Sequence, residues 1–284
     1  MTKHTQTSSF GVGARIGHNS SKFYNSKLYE NLDIKKEKKQ NDNEIMPQHL
    51  NNIFCHSSEK MPELPDNSVH LMVTSPPYNV SKDYDENLSL SEYLSLLRDV
   101  LKETYRVLVN GGRACIPLTM YVNQIMLELG FLMRGEIIWD KSASSGVSLA
   151  WGSFKSASNP VLRDTHEYIL VFSKGDFKRE KKKQNKQDSI SKENFMEWSK
   201  SIWRFSAVSA KKIGHPAPFP LELPKRLIEF YSFEEDVILD PFMGSGTSAL
   251  AALQLKRNFV GYEINKDYVK LANHRINETK NTLF

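Results

Sequence analysis

The segment Thr74-Ser75-Pro76-Pro77-Tyr78-Asn79 combines polar acceptors, two consecutive prolines and an aromatic ring. The prolines rigidify the turn, so the Ser75 hydroxyl and the Pro76 carbonyl become fixed hydrogen-bond acceptors. Two acceptors aimed at the hydrogens of a planar exocyclic amine would favour a pyramidal nitrogen whose lone pair can react. Tyr78 offers a flat face on which a base taken out of a nucleic-acid helix could stack. The same segment could also be a simple turn at the end of a strand.

A second candidate site is the segment Asp240-Pro241-Phe242-Met243-Gly244-Ser245-Gly246-Thr247, which follows a short apolar strand and opens a helix. Its glycines let the backbone approach a ligand, and the helix N-terminus supplies free N–H groups. Asp240 can accept hydrogen bonds from an ammonium group, and Glu263, at the end of the next strand, is placed for ribose hydroxyls. These features fit S-adenosylmethionine. A P-loop would need Lys after Gly246, a dinucleotide fingerprint would need a third glycine, and a tight turn without a ligand is the remaining alternative.

The elements around these segments predict a doubly wound α/β fold with a mostly parallel sheet, because strands alternate with helices. Val69–Val73 and Val237–Leu239 are apolar runs suited to buried strands, and Ser89–Val109 has apolar residues at helical spacing. Gly111-Gly112 is expected to end that helix. Further strands are expected at 52–55, 113–117, 136–139, 167–172 and 258–261, and further helices at 120–129, 221–231, 248–255 and 266–278.

The composition sets broad limits on the class of protein. The 284 residues, 39% of them hydrophobic, suffice for one large α/β domain with an insertion or for two modest domains. A net charge of +5 is compatible with nucleic-acid binding without being diagnostic of it. Cys55 and Cys115 form no metal-like cluster and argue against a disulfide scaffold, which favours an intracellular setting. No apolar run reaches the roughly 18 residues of a membrane span, and no signal peptide is expected.

Together the two motifs resemble those of the amino-group DNA methyltransferases of bacterial restriction–modification systems, in the permuted group called beta. That family has a catalytic (Asp/Ser/Asn)-Pro-Pro-(Tyr/Phe/Trp) loop and a cofactor motif similar to Asp-Pro-Phe-x-Gly-x-Gly-Thr. In the beta order the catalytic motif precedes the cofactor motif, as it does here. The match runs from about Asn52 to the end, apart from a variable middle region. Further matching stretches are Leu64–Val69, Tyr105–Leu108 with Gly111-Gly112, and His215–Pro220.

The resemblance implies a Rossmann-like fold with an inserted DNA-recognition region, and direct methyl transfer from S-adenosylmethionine to a flipped-out base without a metal. The catalytic residues would be Ser75, Pro76, Pro77 and Tyr78. The cofactor-binding residues would be Asp240, Pro241, Phe242, Gly244, Ser245, Gly246, Thr247, Glu263, Pro218 and Phe219. The chain departs from the family at His56-Ser57, where many relatives carry Gly-Asp, so the usual carboxylate near the cofactor adenine is absent.

Four parts of the chain are expected to have different roles: a flexible basic arm (1–45), a catalytic half (46–141), a target-recognition region (142–210) and a cofactor-binding half (211–284). The arm is either a free tail or a DNA contact. In the recognition region, the side chains suited to bases or phosphates are Lys155, Asn159 and Arg163. The run that includes Lys181, Lys182 and Lys183 would add salt-dependent contacts to phosphates, or is a solvated loop.

Serine at the head of the catalytic loop favours cytosine N4 over adenine N6 as the methylated amine in this family. Carbon-5 methylation is disfavoured, because it needs a cysteine nucleophile in a Pro-Cys context and neither cysteine has one. The expected partner is double-stranded DNA, with a possible companion restriction endonuclease, in the cytoplasm of a bacterium or archaeon. An RNA or protein methyltransferase and a noncatalytic DNA-binding module are the alternative functions.

Overall fold

The computed structural model describes residues 41–77, 88–117, 120–141, 152–162, 165–179, 187–207 and 219–283. Its strands are β1 Asn52–Phe54, β2 Val69–Val73, β3 Leu108–Ile116, β4 Phe131–Asp140, β5 His166–Lys174, β6 Ile202–Arg204, β7 Val237–Asp240 and β8 Asn258–Tyr262. Its α-helices are α1 Leu90–Val107, α2 Met120–Glu128, α3 Lys192–Trp198, α4 Glu222–Tyr231, α5 Thr247–Gln254 and α6 Lys266–Leu283. Within the described ranges, no helix is long and apolar enough to cross a membrane.

The strands form one eight-stranded sheet in the order β1-β8-β7-β2-β3-β5-β4-β6. Strand β5 runs antiparallel to β3 and β4, and the other neighbouring strands pair in parallel. The carboxyl ends of β1, β2, β3, β4, β6, β7 and β8 therefore lie at one edge of the sheet, which we call the carboxyl edge; the opposite one is the amino edge. This mostly parallel sheet confirms the predicted fold class.

Helices cover both faces of the sheet. Since the side chains of a strand alternate between its two faces, each central strand contributes to the core on both sides. Met72 of β2 belongs to an apolar cluster that includes Leu97 of α1 and Met126 of α2. Its neighbours Leu71 and Val73 belong to a second cluster, which also contains apolar residues of α4, α5 and α6. Burial on both faces explains why β2 and β7 are mostly apolar, with His70 and Asp240 as the exceptions.

Helix α1 begins where its sequence predicts and ends earlier than expected. Ser89 and Glu92 form a reciprocal capping box at its start. The helix ends at Val107, and β3 begins directly at Leu108. The predicted helix stop at Gly111 and Gly112 is wrong, because both residues lie inside β3. Gly111 has φ +75°, and an added Cβ would lie 2.6 Å from the Lys178 carbonyl oxygen, so a close backbone approach requires glycine there.

Two elements of the middle region, α3 and β6, were not predicted. Strand β6 has only three residues, too few for an alternating pattern to be visible in the sequence. It pairs with β4 through Ile138↔Ile202, and β5 likewise belongs to the main sheet. The part of the chain assigned to target recognition therefore also contributes two strands to the sheet. The four-part division of the chain stays a prediction.

Candidate active site

The catalytic loop leaves the sheet at the end of β2, at the carboxyl edge. The Thr74 N–H still donates to the Cys115 carbonyl of β3, at 3.4 Å. Pro76 and Pro77 have no N–H groups, so the ladder cannot continue beyond them. The Ser75 side chain is partly exposed, and its hydroxyl has no hydrogen-bond partner among the described residues. Tyr78 and Asn79 lie outside the described residues.

The glycine loop lies at the same edge, between β7 and α5. Gly244 and Gly246 have φ values of +50° and +81°, a conformation that favours glycine. An added Cβ on Gly246 would lie 2.9 Å from the Ala272 Cβ, so space also requires glycine there. Gly246 is the N-cap of α5 and supplies no side chain to its first-turn N–H groups. Those donors and the positive end of the helix dipole are suited to an anionic group.

Glu263 follows β8 directly and joins the glycine loop. Its two carboxylate oxygens accept hydrogen bonds from the Gly244 and Asn265 N–H groups, each at 2.8 Å. Burial raises the pKa of Glu263 above its ordinary value, and the backbone donors oppose this rise. A carboxylate has further lone pairs that such bonds leave free, so Glu263 retains acceptor capacity for ligand hydroxyls.

Asp240 has a different environment from the exposed acceptor that its sequence position suggests. The residue is 1% exposed. Its Oδ1 accepts from the Thr74 hydroxyl at 2.6 Å and from the Phe242 N–H at 3.0 Å, and its Oδ2 accepts from the Ser248 hydroxyl. Burial raises the pKa of Asp240 to about 6 despite these three bonds. Asp240 thus holds the ends of β2 and β7 together, and its contact with the cofactor ammonium group stays a prediction.

Residues outside the two motifs support the glycine loop. The Ser58 hydroxyl donates to the Pro241 carbonyl at 2.8 Å, from the segment after β1. The Arg275 guanidinium, on α6, donates to the Ser245 carbonyl and lies 3.4 Å from the Thr247 hydroxyl. Neither Ser58 nor Arg275 belongs to a recognisable motif, so sequence reasoning had no signal with which to find them.

His56-Ser57 follows β1 closely, at the place where the family pattern has Gly-Asp. The His56 Nε2 lies 2.9 Å from Oε1 of Glu63, and the Tyr262 hydroxyl donates to Oε2 of the same carboxylate at 3.0 Å. Burial lowers the pKa of His56, but its bonds to the Ser57 carbonyl and to Glu63 outweigh burial and raise the pKa overall. A carboxylate is therefore present near this position, but it comes from Glu63 and is shared between His56 and Tyr262.

The chain leaves the sheet at two different edges to enter the segments that contain the predicted DNA-binding residues. Lys141 N–H donates to the Thr165 carbonyl at 2.8 Å and closes the base of a long excursion from the carboxyl edge. This excursion contains the hairpin 152–162, in which Lys155 and Asn159 are exposed. The basic run is instead flanked by Arg179, which pairs with Asp236 at 2.5 Å, just before β7 at the amino edge. Its other flank, at Gln187, accepts from the Glu234 N–H at 3.1 Å, also before β7.

The remaining predicted site residues are placed as follows. Phe219 is partly buried and packs against the apolar cluster shared by α4, α5 and α6. Arg163, Lys181, Lys182, Lys183 and Pro218 lie outside the described residues. Cys115 is fully buried in β3, and burial raises the pKa of its thiol to about 12, which suits a core residue and not a nucleophile. In the ranges that the structure describes, no cluster of three His, Cys, Asp or Glu residues could hold a metal ion.

A family model for DNA methylases that modify N6 or N4 amino groups matches residues 69–274. This match spans both candidate motifs and most of the described sheet. The chain therefore belongs to the N6/N4 amino DNA methylase family, with the catalytic motif first and the cofactor motif second.

Individual relatives agree with this family. The Type II methyltransferase M.MjaI of Methanocaldococcus jannaschii is 32% identical, and the match covers 79% of this chain and 90% of the relative. M.BglII of Bacillus subtilis is 30% identical over 82% of this chain and 73% of its own length. A protein of Thermus thermophilus assigned as a DNA modification methylase, solved with S-adenosyl-L-methionine, is 28% identical, with a TM-score of 0.63 over 80% of this chain and 95% of that one. The chain is thus an S-adenosylmethionine-dependent DNA methyltransferase.

Proposed function

We propose that this enzyme methylates the N4 amino group of cytosine in double-stranded DNA at a specific site. The observation that carries this proposal is the Ser75 hydroxyl, which stands partly exposed at the head of the loop without a hydrogen-bond partner among the described residues. In the family, serine at this position accompanies cytosine more often than adenine. Adenine N6 is the alternative acceptor, because both amines need similar hydrogen-bond acceptors.

The catalytic loop is assigned the activation of the target amine, which is by itself a poor nucleophile. The Ser75 hydroxyl and the Pro76 carbonyl accept hydrogen bonds from the two hydrogens of the amine, which draws its lone pair out of conjugation with the ring. Tyr78 stacks on the flipped base and holds it in the pocket. Positive charge that develops on the nitrogen is dispersed over these acceptors, and one amine proton leaves past them to solvent.

The cofactor fits the donors and acceptors at the carboxyl edge. S-adenosylmethionine supplies an electrophilic methyl group on a positively charged sulfur. The uncapped N-terminus of α5 and the Gly244–Gly246 backbone would hold its methionine part. Glu263 would accept from the ribose hydroxyls. Asp240 would keep this loop beside Ser75 through its bond to Thr74.

Recognition of the DNA sequence is assigned to the excursion that leaves the carboxyl edge, because it extends from the same edge as Ser75. Lys155 and Asn159 are its exposed candidates in the hairpin 152–162. The basic run is given a weaker role, since both of its flanks lie at the amino edge. A companion endonuclease acting on the same site, and a cytoplasmic location with the DNA substrate, complete the proposal.

Product identification tests this proposal directly. The protein is incubated with S-adenosylmethionine labelled in the methyl group and, separately, with DNA, RNA and protein. Labelled DNA is then digested to nucleosides and separated by chromatography with mass detection. We expect N4-methyldeoxycytidine, formed much more slowly by the Ser75→Ala variant. N6-methyldeoxyadenosine would establish the alternative base, label in RNA alone would establish the alternative substrate, and DNA binding without label would indicate a noncatalytic module.

A further inference from the structure

We propose that Tyr93 is a positioning residue for the catalytic loop, acting through the backbone of Pro77. The Tyr93 hydroxyl donates a hydrogen bond to the Pro77 carbonyl oxygen at 2.6 Å. Tyr93 lies in the first turn of α1, sixteen residues after Pro77 in the chain. This inference rests on the proposed role of the loop, but it concerns a residue that belongs to neither motif.

The catalytic loop needs such a contact because it cannot fix itself. Pro76 and Pro77 have no N–H group, so neither can donate to a neighbouring strand. The proline rings fix φ at both residues, and Pro77 also restricts ψ of Pro76, but ψ of Pro77 is left to other contacts. Within the described part of the chain, residues 75–77 take part in one hydrogen bond, the one that the Pro77 carbonyl accepts from Tyr93. Without it, residues 75–77 would have no hydrogen bond to the rest of the described chain.

Holding the Pro77 carbonyl constrains more than one oxygen atom. The angle ψ of Pro77 sets the direction of its carbonyl and also the direction in which the chain continues to Tyr78. A bond on this carbonyl therefore limits both. Tyr93 thereby constrains the start of the segment that is proposed to stack on the base.

Tyr93 is well suited to this role because it is itself fixed. Its side chain is 9% exposed and belongs to the apolar cluster of α1 and α2. The capping box of Ser89 and Glu92 closes the first turn of α1 around it. A buried phenol needs a partner for its hydroxyl, and packing alone would be served by phenylalanine. The choice of tyrosine at this core position is explained by the bond to Pro77.

The test compares Tyr93→Phe with Tyr105→Phe, a matched change on the same helix. The Tyr105 ring packs edge-on against Phe131, with centroids 4.9 Å apart, close to the amino edge and remote from Pro77. We expect Tyr93→Phe to lower the single-turnover rate of DNA methylation about tenfold or more, with an S-adenosylmethionine Kd within about twofold of wild type. Tyr105→Phe should leave both the rate and the Kd within about twofold of wild type.

A second measurement does not depend on activity. Hydrogen–deuterium exchange followed by mass spectrometry should show faster exchange of the peptide containing Ser75 and Tyr78 in Tyr93→Phe, and unchanged exchange in Tyr105→Phe. A methylation rate for Tyr93→Phe equal to that of wild type, or equal losses in the two variants, would overturn the positioning role. A wild-type protein that fails to methylate DNA would count against the proposed function instead, and the exchange experiment would still test the contact.

Discussion

The Thr74 hydroxyl donates a 2.6 Å hydrogen bond to Oδ1 of Asp240, across 166 residues of sequence. Thr74 directly precedes Ser75, the proposed catalytic residue, and Asp240 is the first residue of the proposed cofactor motif. Their bond is possible because β2 and β7 are parallel neighbours whose carboxyl ends meet. The loops proposed to hold the methyl acceptor and the methyl donor therefore begin at two neighbouring strand ends that are bonded to each other. This bond limits how far one loop can shift against the other.

Removal of this bond should weaken both the fold and cofactor binding. Thr74→Val keeps the shape of the side chain but leaves Oδ1 of the buried Asp240 with the Phe242 N–H as its remaining donor. We expect the free energy of unfolding to fall by about 1–3 kcal/mol. Urea titration and calorimetric titration with S-adenosylmethionine measure the two effects. Thr74→Ser keeps the hydroxyl and should retain most of the stability; equal losses in both variants would mean that packing, and not the bond, is responsible.

Ser75→Ala should separate catalysis from cofactor binding. The hydroxyl has no partner among the described residues, so its loss costs the fold little. Loss of one acceptor for the amine should lower the methylation rate on the order of a hundredfold, while the S-adenosylmethionine Kd stays nearly unchanged. Rapid-quench assays with labelled cofactor give the rate. The exposed Ser199→Ala is the control, and full activity in Ser75→Ala would exclude the proposed role.

The buried carboxyl group of Asp240 should make stability depend on pH. Its pKa is raised by burial from an ordinary value of 3.8 to about 6, so the folded protein binds this proton more tightly than the unfolded chain. The resulting stabilisation is complete below about pH 4 and is lost as the pH rises through about 6, with a total of about 3 kcal/mol. Asp240→Asn removes this titration, so it should gain stability relative to wild type as the pH rises.

Urea denaturation of wild type and Asp240→Asn across the pH range from about 4 to 7 measures this difference. A constant offset is expected in addition, because asparagine has one acceptor oxygen where the carboxylate has two. The exposed Asp99→Asn variant should follow the pH profile of wild type. A stability difference between Asp240→Asn and wild type that does not change with pH would show that this ionisation is not coupled to folding.

Gly246→Ala should destabilise the glycine loop through both its conformation and its contacts. The residue has φ +81°, and an added Cβ would lie 2.9 Å from the Ala272 Cβ. A cost of about 1–3 kcal/mol is typical of such a strained position, and the S-adenosylmethionine Kd should rise with it. Gly135→Ala is a matched control, because a Cβ there meets no atom within 4 Å. Unchanged stability of Gly246→Ala in thermal unfolding would contradict the proposed constraint.

Sequence reasoning located the two loops because each follows a strand buried on both faces, and such strands are visible as short apolar runs. The same reasoning placed helix starts well where side chains cap them, as Ser89 does for α1. It failed at Gly111 and Gly112, since glycine both ends helices and permits close contacts between chain segments. In this chain the close contact with Lys178 is the reason for glycine at position 111, and that contact exists only in the folded structure.

The sequence predicts the two motifs of the candidate site, but it does not predict the residues that hold these motifs in place. Ser248 and Tyr93 bind atoms of the two motifs, but each is a common residue type with no characteristic spacing. Tyr93 fits the apolar pattern of α1, so the sequence classes it as a core residue, which it also is. Its second role depends on where Pro77 lies, and only the assembled sheet determines that position.

The strand order also has a consequence for how the chain acquires its structure during synthesis. Strands β1 and β2 are separated in the sheet by β8 and β7, and β3 is separated from β4 by β5. The first half of the chain thus contains strands with gaps between them that only later residues fill. Pairing across such long stretches of sequence is slow and exposes apolar surface until it is complete. A nascent chain that already displays Ser75 lacks the neighbour of β2 on one side until Val237–Asp240 has emerged from the ribosome, so the bond between Thr74 and Asp240 cannot form before that point.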